Sequence, residues 1–88
     1  MNNDKHNFLE LVISSGISGN GIKLLCYLLL NQRDYITFKT IKSGTGLGTH
    51  VLTKAEKELE QHNIIRRRIV VINGRIAGCH FYINNAWQ

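Results

Sequence analysis

Eighty-eight residues with 43% hydrophobic content make one small folded domain and leave no room for a separate catalytic one. Eleven Lys and Arg against six Asp and Glu give a net charge of +5, and the two cysteines lack the paired spacing of a disulfide framework. The N-terminus "MNNDKHN" is polar and the longest apolar run, "LLCYLLL" at 24–30, is far too short to span a bilayer, so a cytoplasmic protein with no membrane anchor is expected.

The charge is unevenly placed. Residues 1–34 set Lys5, Lys23 and Arg33 against Asp4, Glu10 and Asp34 and balance. Residues 35–60 set Lys39, Lys42, Lys54 and Lys57 against Glu56, Glu58 and Glu60. Residues 61–88 hold Arg66, Arg67, Arg68 and Arg75 and no acid at all. A basic C-terminal half points to a polyanionic partner, nucleic acid foremost, with ordinary surplus surface charge as the alternative.

In chain order, residues 5–15 form an N-terminal helix with Phe8, Leu11 and Val12 on one face and Leu9 and Ile13 beside it, stopped by Gly16. Ser18 or Asn20 caps a second helix, "GIKLLCYLLLNQ". Its apolar residues cover most of the circumference, which places it at the centre of a core or in an interface. "DYITF" (34–38) is a turn and short strand, after which Thr37 caps a short helix, "FKTIKS", with Phe38 and Ile41 facing inward.

Gly44, Gly46 and Gly48 follow in "GTGLGTH" and raise the question of a phosphate loop. A dinucleotide site needs a buried strand before the glycines, and a P-loop needs Gly-Lys-Ser/Thr entering the helix. Here a polar helix precedes them and Gly48 is followed by Thr49 and His50, so they form the bend between two helices.

"THVLTKAEKELEQH" is the clearest helix, with Leu52, Ala55 and Leu59 on its core face. At about 100° per residue the opposite face carries His50, Thr53, Lys54, Lys57 and Gln61, with no carboxylate at its centre. Glu56 and Glu60 flank it on one side and read as solvated; Glu58 on the other lies within i, i+4 reach of Lys54.

"IIRRRIVVINGRIAGCHFYIN" (64–84) is a β-hairpin around Asn73-Gly74. Cys79, Phe81 and Ile83 with Ala77 form one apolar face of the second strand, His80 and Tyr82 point the other way, and in the first strand Ile65, Ile69 and Val71 are the expected apolar set. A two-residue loop paired regularly would turn Arg66 and Arg68 inward. A three-residue loop sends them outward beside His80 and Tyr82 and is the expected register. Arg67 is then the misfit on the inner face, its head snorkelling to the edge.

The order and spacing of these parts resemble the winged helix-turn-helix family over residues 18–84, about three-quarters of the chain. The matching features are a helix, a short strand, a Thr37-capped helix, a turn with Leu47, a helix ending "LEQHNII", and a basic hairpin. Leu59, Ile64 and Ile65 match the family's closing "L-E-x-x-x-I-I" segment. Gly44 and Thr45 depart from it, since helix formers and an apolar residue are usual there, and Gly48 stands where Ser is frequent. The resemblance implies an α+β fold over the single domain 1–88: a three-helix core, a β-hairpin wing and the additional N-terminal helix.

The members it most resembles are the winged domains of plasmid and phage replication initiators, replisome organisers and bacterial transcription regulators. It implies double-stranded DNA as partner, read by a recognition helix at about 49–61 and a basic wing at 66–75. It implies base-edge contacts from Thr49, His50, Thr53 and Lys54, and phosphate contacts from Lys57, Lys39, Thr37, Arg66, Arg68 and Arg75.

The rival expectation is a protein-binding winged helix without specific DNA binding. Its surface would be Phe8, Leu11 and Val12 with the helix around Leu24–Leu30, and a homodimer there is compatible with a two-fold DNA site. No enzyme is expected. No Ser or Cys has an evident activating base, and His6, His50, His62 and His80 with the two cysteines show neither CxxC nor HxxxH spacing. No metal, cofactor or small-molecule substrate is implied.

Overall fold

The computed structural model describes residues 4–84, the side chains of residues 4–7 and of Leu9 excepted. Trp87, which the sequence leaves either closing the core or in a tail, lies outside the described residues. The order is α1 Asp4–Ser14, α2 Gly19–Leu30, α3 Phe38–Thr45, α4 Thr49–Gln61, β1 Ile65–Ile72 and β2 Arg75–Ile83. The class is therefore α+β: four helices, then a two-stranded antiparallel hairpin.

Local chemistry sets each boundary. Gly16 takes φ 88° and ends the first helical segment, as only glycine does without strain. Ser18 caps α2, its Oγ accepting from the Gly21 N–H at 3.1 Å. Thr37 caps α3 in the same way, accepting from the Thr40 N–H at 3.1 Å. Gly46 closes α3 at φ 74°, donating to the Lys42 carbonyl at 2.8 Å. The α4 terminus uses left-handed Asn63, with the Ile64 N–H returning to the Leu59 carbonyl at 2.9 Å.

The core is one cluster. Phe8 and Val12 from α1, Leu24, Leu25 and Leu28 from α2, Ile41 from α3, Leu52, Ala55 and Leu59 from α4, and Ile64 and Ile65 at the hairpin base bury together. The nearly all-apolar α2 is central to it and packs most extensively on α4. Two residues differ from expectation. Leu11, expected on one face with Phe8 and Val12, is exposed while those two are buried, and Phe38, expected to face inward, sits at the rim as the first residue of α3.

α3 continues through Gly44 and Thr45, and the Tyr27 ring packs where a Gly44 Cβ would be, so glycine is needed at that helical position. Thr45 is buried and satisfied, its hydroxyl donating to the Ile41 carbonyl at 2.7 Å and accepting from the Leu47 N–H at 3.2 Å.

The hairpin corrects the expected loop. Asn73 (φ 52°) and Gly74 (φ 77°) form a two-residue turn between Ile72 and Arg75, the left-handed pair of a type I′ hairpin. Val71 pairs with Ile76, but Val70 pairs with Gly78, so Ala77 is the extra residue of a β-bulge. The bulge restores the parity that a three-residue loop would have given: Arg68 lies opposite His80 and Arg66 opposite Tyr82.

The "DYITF" strand reduces to one bridge. Ile36 exchanges two hydrogen bonds with Cys79, each 2.9 Å, on the outer edge of β2. Among the described residues no helix is long and apolar enough to cross a membrane.

Gly78 makes that bridge possible, since a Cβ there would stand 2.7 Å from the Ile36 carbonyl oxygen. Gly78→Ala is expected to cost about 1–3 kcal/mol in urea denaturation, through backbone displacement rather than cavity formation. The Ile36 and Cys79 amides should lose hydrogen-exchange protection ahead of the α4 amides.

Candidate nucleic-acid interface

Burial of Leu52, Ala55 and Leu59 fixes the rotation of α4 and turns Thr49, His50, Thr53, Lys54, Lys57 and Gln61 to solvent. At its N-terminus Gly48 supplies no side-chain cap. The Lys42 ammonium reaches across and donates to the Thr49 hydroxyl at 2.9 Å. Lys42 therefore places a cation from α3 beside the first turn of α4, a role that inspection of either helix alone does not reveal.

The glutamates do not behave as an ordinary solvated set. Glu58 turns to the start of α2, where its carboxylate accepts from the Ser18 N–H at 2.9 Å and the Ser18 hydroxyl at 2.6 Å. These two hydrogen bonds hold its pKa below the usual 4.5. It is committed to Ser18 rather than to the expected i, i+4 partner Lys54.

Glu56 is buried, contrary to its expected solvation. Burial raises its carboxyl above 4.5; Arg67 pulls it back down and Glu60 adds to the rise. The Arg67 guanidinium meets Glu56 Oε1 at 3.2 Å, so the misfit arginine of the hairpin's inner face reaches a helix carboxylate.

On the hairpin's outer face, Arg66 and Arg68 stand opposite Tyr82 and His80, both arginines exposed. His80 Nδ1 lies 3.0 Å from the Arg33 carbonyl oxygen and 2.9 Å from that of Asp34. Two carbonyl acceptors require a proton on that nitrogen, so His80 donates and pins the α2–α3 connection to β2. Its ring meets Tyr82 edge-on, centroids 4.5 Å apart. Arg75, paired with Ile72 at the turn, is exposed and falls on the same face by strand parity.

Thr37 and Lys39 are exposed at the start of α3. The Thr37 hydroxyl is already engaged as the helix cap and shares a hydrogen bond with the Thr40 hydroxyl at 2.8 Å. Among the described residues neither Thr37 nor Lys39 is bonded to α4; Lys42 makes that link. No group of three His, Cys, Asp or Glu able to hold a metal is found among the described residues. Cys26 and Cys79 are free, and burial pushes the Cys79 thiol up.

Comparison of the chain with family models, curated proteins and solved structures finds no match.

The pair between Glu56 and Arg67 has a testable pH signature. Without Arg67 the buried carboxyl loses its only lowering partner, so its pKa rises further. A carboxyl with a raised folded-state pKa favours folding at low pH and opposes it once ionised. Arg67→Ala should therefore cost about 1–3 kcal/mol at pH 8, given the half-exposed guanidinium, and distinctly less at pH 5. Urea midpoints at the two pH values measure this, and adding Glu56→Gln should remove the difference. An equal deficit at both would contradict the assignment.

Proposed function

We propose that this domain binds double-stranded DNA as a winged helix-turn-helix, with α4 as the recognition helix in the major groove and the hairpin as a basic wing. The observation that carries the reading is the clearing of carboxylates from the α4 face. Glu56 is turned under Arg67 and Glu58 is bonded to Ser18, while Thr49, His50, Thr53, Lys54 and Lys57 remain exposed. A polyanion approaching this face meets cations and hydroxyls; of the flanking acids Glu56 and Glu58 are engaged within the fold, and Glu60 stays partly exposed at the edge beside Thr53.

On this reading Thr49, His50, Thr53 and Lys54 meet base edges. Lys57, Lys39, Thr37, Arg66, Arg68 and Arg75 meet phosphates, with Lys42 added beside Thr49. The biological setting we infer is plasmid or phage replication, or transcription control.

A second reading, association of two copies through the N-terminal helices, loses most of its expected surface, because Phe8, Val12, Leu24, Leu25 and Leu28 are buried in the domain's own core; what supports it is the exposure of Leu11, Ile13 and Leu30. The two readings are compatible, since a dimer presents two recognition helices to a two-fold site. If α1 forms the contact, Ile13→Asp shifts the free protein to monomer in sedimentation.

Titration of mixed-sequence duplex at about 50 and 200 mM salt should show affinity falling with a log–log slope of roughly −4 to −5, as for four to six neutralised phosphates. Absence of binding at the lower salt would refute the proposal. Lys54→Ala should relax sequence preference, whereas Arg68→Ala should weaken every duplex alike and flatten the slope by about one. Equal effects of both on all sequences would remove α4 from the recognition role.

A further inference from the structure

We propose that the tip of the hairpin is an apolar wedge that enters the minor groove beside the α4 site, unstacks a base step and bends the duplex. The proposal rests on the DNA-binding reading above and adds to it a mode of action.

Its basis is a group of aliphatic side chains that the fold leaves uncovered. Ile69 is 56% exposed, Val71 57%, Ile72 45% and Ile76 72%, all close to the Asn73-Gly74 turn. Among the described residues the ties between the hairpin and the body lie in its lower half. Ile64 and Ile65 are buried at the base, Arg67 is held by Glu56, and the Ile36–Cys79 bridge is the last backbone tie on the way to the tip. Val71 and Ile76 pair on one face of the tip, while Ile72 lies on the other beside Arg75. The tip is therefore apolar on both faces.

The charge around it selects the partner. Arg75 stands at the turn opposite Ile72 and Arg68 directly precedes Ile69, with Arg66 two residues further toward the base, and residues 61–84 contain no Asp or Glu. A second copy of the hairpin would bring the same arginines against them and repel. The partner must offer negative charge and flat apolar surface together, and a base step opened between phosphates offers both.

Dimensions call for the opening. Two strands about 4.8 Å apart, with side chains on both faces, exceed a minor groove about 6 Å wide. The tip enters only if the groove widens, which a kink toward the major groove provides. The left-handed pair Asn73 and Gly74 closes the tip in a tight turn, and the Ala77 bulge adds local twist that sets the direction of the isoleucine positions.

The test uses a duplex of about 30 base pairs with a central TpA step, chosen as an easily unstacked step. It carries a donor–acceptor dye pair on its ends and 2-aminopurine beside the step. Saturating protein should bring the ends closer and raise 2-aminopurine fluorescence. Ile76→Ser and, separately, Ile72→Ser should lose most of both signals while weakening affinity less than about tenfold. Arg68→Ala should weaken binding but leave the bend at saturation intact. Both isoleucine positions are exposed, so unchanged thermal melting verifies that either variant is folded.

Salt-dependent binding with unmoved ends and silent 2-aminopurine overturns the wedge and leaves the DNA reading standing. No binding to any duplex overturns both. Serine variants that bend DNA like the parent overturn the wedge, and variants that instead change sedimentation of the free protein overturn it and assign the tip to a protein contact.

Discussion

Arg67 and Glu56 meet because each lies on the side of its element that closes onto the core, and much of the charge layout depends on that meeting. A carboxylate under the hairpin is costly unless a cation stands against it, and removing either member leaves the other without its compensation. The pair therefore favours one register of the hairpin against α4, alongside the buried Ile64 and Ile65 at its base. A slip by one residue would take Arg67 away from Glu56 and turn Arg66 and Arg68 into the apolar layer. With the register held, those two arginines face outward with Tyr82 and His80, and one inward arginine is the condition for two outward ones.

A similar economy runs through the bend between α3 and α4, where three glycines do three different things. Gly44 admits the Tyr27 ring against a helix backbone, Gly46 takes the left-handed conformation that ends α3, and Gly48 begins α4 without a capping side chain. The last of these leaves the first turn of α4 open, and Lys42 from across the bend takes position there. Together they bring two helices close with little side-chain bulk between them, and they leave a cation where the second helix starts.

Much of this was legible in the sequence because it is local. The Ser18 and Thr37 caps, the Gly16 stop, the span of α4 and its Leu52–Ala55–Leu59 face follow from residue type and periodicity. The hairpin register was legible only in outcome: parity demanded outward Arg66 and Arg68, but a three-residue loop and a two-residue loop with a bulge satisfy that demand equally. Only the backbone at Ala77 separates them. The fate of the glutamates was harder to see because it depends on partners 11 and 40 residues away, Arg67 and Ser18. One signal was present. Glu56 lies about 40° around the helix from Leu52, too close to the core face for a freely solvated acid, and the inward misfit Arg67 was waiting for an anion.

The hairpin has one further property, set by its exposed edge. Ile36 bridges only to β2, so β1 has no strand on its other side among the described residues. The segment at that edge, Ile69-Val70-Val71-Ile72, combines β-branched side chains with no charge, the composition that recruits other chains into cross-β stacks. Arg66, Arg67 and Arg68 sit immediately before it and Arg75 just after the turn, where like charges repel an incoming strand edge to edge. The arginines proposed to meet phosphate thus also act as gatekeepers of solubility. Stripping them would expose the chain to aggregation, which ties the charge of this hairpin to the survival of the fold in concentrated solution.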